Sequence, residues 1–198
     1  NKVGSNTDVI ENRYYNPNSA IKTDWNMGLS ESEVLIRNAV MRAMEKILDE
    51  QVDVSAQLSS GLDSTTAVCN AARILKRRGG RIYSYTSIPS KESGVKNTTY
   101  RIYDETEGVK IVSKAYPNIE PEFVECADRF FLLEAESVVN DWEMPCKSQN
   151  NAIWKDETCK KAAERGLRIM LNGSTGNCTF SAGDFYNALY FTFNNSSF

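Results

Sequence analysis

The sequence predicts an α/β fold: a parallel sheet sandwiched between helices. Short runs rich in Val, Ile, Tyr and Thr alternate with longer segments of helical apolar spacing. The joints between them carry Gly, Ser or Pro, and the chain shows no internal repeat. With 198 residues the chain is long enough to bury one core of ordinary size.

The elements follow in order. Residues 1–29 are Asn-rich, lack apolar periodicity and read as a linker or arm; residues 30–198 read as the domain. Ser30 and Glu33 have the spacing of a capping box, and Ile36, Val40, Ala43, Met44 and Ile47 follow at helical intervals. Val52, Val54, Ala56 and Leu58 alternate with polar residues and predict a strand with one buried face. A helix is expected over 65–78, stopped by Gly79-Gly80, then a strand over 81–88 and a polar loop over 89–100. Further helices are expected at 104–115, 129–139 and 151–165, with strands at 122–124 and 167–171. A second Gly/Ser-rich turn runs from Asn172 to Asn177.

Composition excludes several kinds of chemistry. There is no histidine, which rules out a Ser-His-Asp triad, a Cys-His pair within the chain and any imidazole zinc site. The balance of 23 basic and 26 acidic residues gives no basic field for nucleic acid. Lys76, Arg77, Arg78 and Arg81 cluster at an expected helix end, where cations offset the helix dipole. Five cysteines without CxxC spacing fit a reduced, cytoplasmic chain. No apolar run has the length of a membrane span.

The turn Ser59-Ser60-Gly61-Leu62-Asp63-Ser64 joins the first expected strand to a helix. A turn in that place offers free backbone N–H groups and the positive end of a helix dipole, an anion site. Gly61 permits close approach, and Ser59 and Ser64 add hydroxyl donors. Asp63 would repel a bare phosphate, so its presence calls for Mg²⁺ between carboxylate and phosphates. The turn is neither a Walker A loop nor GxGxxG.

Leu58 through Ser64 closely resembles the SGGxDS pyrophosphate loop of N-type ATP pyrophosphatases, and looks most like the asparagine synthetase branch. That branch includes asparagine synthetase B, β-lactam synthetase and lasso-peptide cyclases. Tyr83 to Ile88, Tyr103-Asp104-Glu105, Glu143-Met144-Pro145 and Leu171-Asn172-Gly173 resemble further family segments. The resemblance implies an adenine nucleotide alpha hydrolase-like (Rossmann-like) fold. It also implies ATP and Mg²⁺ as cofactors and an AMP-forming amide synthesis from a small-molecule carboxylate. It places Leu58, Ser59, Ser60, Gly61, Asp63, Ser64, Ser87, Asn172 and Gly173 at the nucleotide. Asp63 is implied as the catalytic metal ligand and Asn177 as its companion. A glutaminase domain would lie outside these residues, and the synthetase domain would continue past residue 198.

The second motif departs from the family's SGEGADE. Ser174, Asn177 and Cys178 stand where acids are expected, and no late catalytic lysine is assignable. Ligand charge governs cation affinity, so a variant substrate or a weakened nucleotide-binding module is a second expectation. Another pyrophosphatase branch, such as NAD or GMP synthetase or a tRNA-modifying enzyme, is a third. Cys178 is read as a small packing residue, and Tyr83, Tyr85 and Tyr103 as sheet and core packing. Trp142 and Trp154 are read as core anchors, and Asp104 and Glu105 as helix-terminal acids.

Overall fold

The structure is a computed structural model that describes Tyr14, Asn16, residues 27–143, residues 151–174 and Gly176. The backbone divides into two compact units, Asn1–Asn38 and Ala39–Phe198. In the first unit, Gly28 O accepts the Ser32 N–H at 3.0 Å and the Ser32 hydroxyl at 3.1 Å. These bonds open helix α1, Leu29–Leu48, so Ser30 lies inside the helix and the expected capping box is not its start. Glu33 pairs with Arg37 one turn on, at 2.5 Å.

Among its described residues the second unit contains a four-stranded sheet, all parallel, in the order β3-β2-β1-β4. Its strands are β1 Val54–Gln57, β2 Ile82–Ser87, β3 Ile119–Val124 and β4 Met170–Leu171. The helices are α2 Leu62–Arg77, α3 Thr106–Ala115, α4 Phe131–Trp142 and α5 Ala152–Glu164. The expected boundaries move by one to three residues at most ends, and β3 starts earlier than expected, at Ile119. α2 is capped by Arg78 and followed by Gly79, whose φ of 75° lies in the left-handed region that closes helices.

Alternation sends successive strand residues to opposite faces. Val54, Ala56, Ile82 and Leu171 join a core with Val68, Ala71, Ile74 and Leu75 of α2, Val109 of α3, and Met44 and Leu48. On the other face Tyr85, Val124 and Ala162 pack with Tyr83, Leu167 and Met170 beneath α5. Because both faces are covered, β1 is buried on both sides, and Ser55 is as inaccessible as Val54. The Ser55 hydroxyl is satisfied by donating to Ile169 O at 2.5 Å. Val52, expected on the buried face, is instead exposed, as are Ala43 and Ile47 of α1. Of the expected stripe Met44 joins the core, and Leu48 rather than Ile47 makes the next contact.

The basic cluster at the end of α2 is used internally. Arg77 pairs with Glu45 at 3.2 Å, Arg78 donates to Gln51 O at 3.0 Å, and Arg81 pairs with Glu120. Among the described residues no helix is long and apolar enough to cross a membrane.

A candidate nucleotide site at the sheet switch point

The chain runs from β1 outward to β2 and β3, then returns to β4 on the other side of β1. Strand order therefore reverses between β1 and β4. In open parallel sheets the crevice beyond the carboxyl ends at such a point is the ligand site. The two Gly/Ser turns of the sequence are the segments that leave β1 and β4.

Leu58 anchors the first turn. Its N–H donates to Tyr85 O at 3.0 Å, and its carbonyl accepts the Thr86 hydroxyl at 2.7 Å. Beyond it the chain folds on two serines. Ser59 N–H donates to Ser64 Oγ at 3.1 Å, the two hydroxyl oxygens lie 2.7 Å apart, and Gly61 N–H donates to Ser59 Oγ at 3.1 Å. Ser64 Oγ also lies within 3.3 Å of the carbonyls of Ser59 and Gly61. Gly61 is the N-cap of α2 and offers no side-chain cap, so amides of the first turn lack intrahelical acceptors.

The segment after β4 closes against this turn. A β-carbon on Gly173 would lie 2.5 Å from the Ser64 nitrogen. One on Gly176 would lie 2.6 Å from Asp63 Oδ2. The Asn172 side chain shapes the bend by accepting the Ser174 N–H at 2.9 Å. Between the two segments opens a cavity of about 730 Å³, within the range that holds nucleotide-sized ligands.

Leu58, Ser59, Gly61, Asp63, Ser64, Ser87, Asn172 and Gly173 all line this cavity. Ser60 does not join them: its hydroxyl donates to Glu105 Oε1 at 3.2 Å, at the start of α3. Asn177 and Cys178 lie outside the described residues. Asp104 behaves as the helix-terminal acid that was expected. It accepts the Thr106 N–H at 2.9 Å, and hydrogen bonding from Thr106 holds its carboxyl below the usual range. Glu105 turns away from that role and lines the cavity.

Several lining residues were not anticipated. Asn151, Trp154 and Lys155, at the start of α5, face the same cavity. Trp154 is half-buried at the cavity wall, where the sequence suggested a core anchor. Tyr103 is exposed, and only Tyr85 of the three tyrosines is fully buried. The Trp142 side chain lies outside the description. Gln57 is held by its amide donating to Thr158 Oγ1 at 3.2 Å. A smaller cavity of about 220 Å³ adjoins, sharing Ser87 and Trp154.

A second polar cluster lies on the α4–α5 side. Arg129 pairs with Glu134, with Asp156 at 2.8 Å and with Glu157 at 3.2 Å. The Glu134 hydrogen bond is the main reason that its guanidinium is held above its ordinary value. Burial pushes Asp156 up, but hydrogen bonds from Lys160 and Arg129 outweigh it and leave the carboxyl below the usual range.

The family model for asparagine synthase matches residues 35–197. The chain belongs to the asparagine synthase family. This is a family of ATP-using ligases, and the asparagine synthase match spans both turns and the whole sheet. No curated protein shows a significant match to the chain.

Among the described residues no group of three or more His, Cys, Asp or Glu side chains is placed to hold a metal. Asp63 and Glu105 are the carboxylates among the described lining residues. That donor set suits Mg²⁺, which takes one or two carboxylates with phosphates and water rather than a protein cage.

Proposed function

We propose that this asparagine synthase domain forms an amide by adenylating a carboxylate. One acceptor oxygen bonds to the α-phosphorus of ATP, and the bond to the bridging oxygen breaks, so pyrophosphate leaves. Ammonia or an amine then bonds to the activated carbonyl carbon; AMP departs and the nitrogen loses a proton. Amides and hydroxyls of the Ser59–Ser64 turn hold the leaving diphosphate, where most charge develops. Asp63 would hold Mg²⁺, which would supply charge neutralisation on the phosphates. Leu58, Ser87 and Gly173 lie beside the adenosine. A glutaminase domain outside these residues is the proposed ammonia source.

The observation that carries this reading is the meeting of the two turns across one cavity, with Asp63 packed against the 173–176 bend. A reducing compartment fits it: Cys69, Cys126 and Cys159 are unpaired, and burial pushes each thiol up. The test is pyrophosphate release from ATP and Mg²⁺ over a panel of carboxylic acids. Acid-dependent release, equimolar with AMP, is expected. Release of ADP instead would overturn the chemistry.

A second reading has its own support. Ser174 lines the cavity where the family pattern has an acid, which fits a binding module with weakened catalysis. ATP binding with no turnover across the whole panel favours it.

A further inference from the structure

Lys155 lines the main cavity, and nothing above gives it a role. Among the described lining residues it is the one cation; the Ser59–Ser64 turn contributes no Lys or Arg. Its nearest acids in sequence are engaged elsewhere. Asp156 binds Arg129 at 2.8 Å and Lys160 at 2.7 Å, and Glu157 binds Arg129 at 3.2 Å. Further along, Glu122 is shared by Lys161 and Arg165 at 2.8 and 3.0 Å. The first turn of α5 carries no acid. Among the described residues no carboxylate stands within ion-pairing distance of the Lys155 ammonium.

The ammonium lies instead 5.8 Å from the centroid of the Trp154 ring, itself part of the cavity wall. That is cation–π range. The ring steers the lysine without neutralising it. Below, Thr158 fixes the turn by donating to Lys155 O at 2.8 Å. A cation in a cavity wall with no carboxylate partner is free to make a charge-assisted hydrogen bond to an anionic ligand. The two acids of the lining, Asp63 and Glu105, belong to the other elements of the wall.

We propose that Lys155 contacts the phosphate oxygens of the nucleotide and is the protein's own positive charge at that group. This rests on the ATP reading of the cavity. An acceptor carboxylate offers the same anionic oxygens, so the test separates the two by omitting the acceptor. Binding of ATP and of adenosine to the full-length protein is measured calorimetrically in magnesium buffer, for wild type, Lys155→Met and Lys155→Arg.

Wild type is expected to bind ATP more tightly than adenosine. Lys155→Met is expected to weaken ATP roughly ten- to hundredfold, the range for one hydrogen bond to a charged group. Its adenosine affinity and melting temperature are expected to match wild type, and Lys155→Arg to retain most of the ATP affinity. Unchanged ATP binding in Lys155→Met, in a protein that still prefers ATP to adenosine, overturns this inference and leaves the cavity reading standing. If that variant instead raises only the KM for the acceptor, the phosphate assignment is overturned in favour of the carboxylate. No ATP binding by wild type overturns both readings.

Discussion

Gly173 sits so close to the backbone of Ser64 that a β-carbon at 173 would stand 2.5 Å from the Ser64 nitrogen. Residues more than a hundred positions apart thus form one wall. Gly173→Ala is expected to push the bend off the turn and weaken ATP binding by roughly tenfold, as overpacking of about 1–3 kcal/mol implies. Calorimetry with a parallel melting curve checks this; full affinity with an intact fold would show that the bend is no part of the site.

Asp63 has the corresponding relation to Gly176, whose added β-carbon would meet its carboxyl carbon at 2.3 Å. Asp63→Asn preserves size and removes charge. Pyrophosphate release is expected to fall by roughly a hundredfold or more, with a higher magnesium concentration needed for half-maximal rate. A variant with the wild-type rate and magnesium dependence would remove Asp63 from the chemistry.

The serines of the first turn are expected to separate in their effects. Ser59 Oγ accepts the Gly61 N–H and meets Ser64 Oγ, so Ser59→Ala loosens the turn and should lower ATP affinity by roughly tenfold. Ser60 is not part of the cavity lining and reaches it only through its bond to Glu105, so Ser60→Ala should cost less, about twofold in affinity. Equal losses in the two variants would contradict the geometry.

Arg129 provides a stability prediction with a pH signature. Glu134, through its hydrogen bond from Arg129, and Asp156 are held below their ordinary values of 4.5 and 3.8. Depressed carboxyls contribute stability that is present above the unfolded values and lost as pH falls through the folded ones. Arg129→Met should therefore lower the melting temperature at neutral pH by roughly 5 °C. The gap to wild type should close as pH drops below the ordinary carboxyl range, because protonated partners no longer need the guanidinium. Melting curves at several pH values give the answer; a gap that is constant with pH would point to lost packing instead.

The strand-turn-helix unit over residues 54–77 was legible because its chemistry is local: a period-two run, a Ser/Gly turn, then helical spacing. Phase was less legible. Alternation predicts one buried face, but the sheet is covered on both, so Ser55 is buried; Val52 precedes the strand and is exposed. The contribution of α5 was hidden for another reason. Nothing local to Asn151, Trp154 or Lys155 says which end of that helix faces the crevice; this follows from β4 pairing beside β1. Arg129 and its acids were equally opaque, since Asp156 lies 27 positions away.

β4 pairs with its neighbour through two residues, Met170 and Leu171, and Ile169 is tied to Ser55 at 2.9 Å and 2.5 Å. Among the described residues the segment bearing Asn172 and Gly173 thus follows a very short seam, while β1 and β2 are zipped along four registered positions. Partial unseaming needs far less free energy than global melting. The Ser55 amide should therefore trade its proton for deuterium sooner than the Leu58 amide, with the β1–β4 seam loosening before the β1–β2 seam.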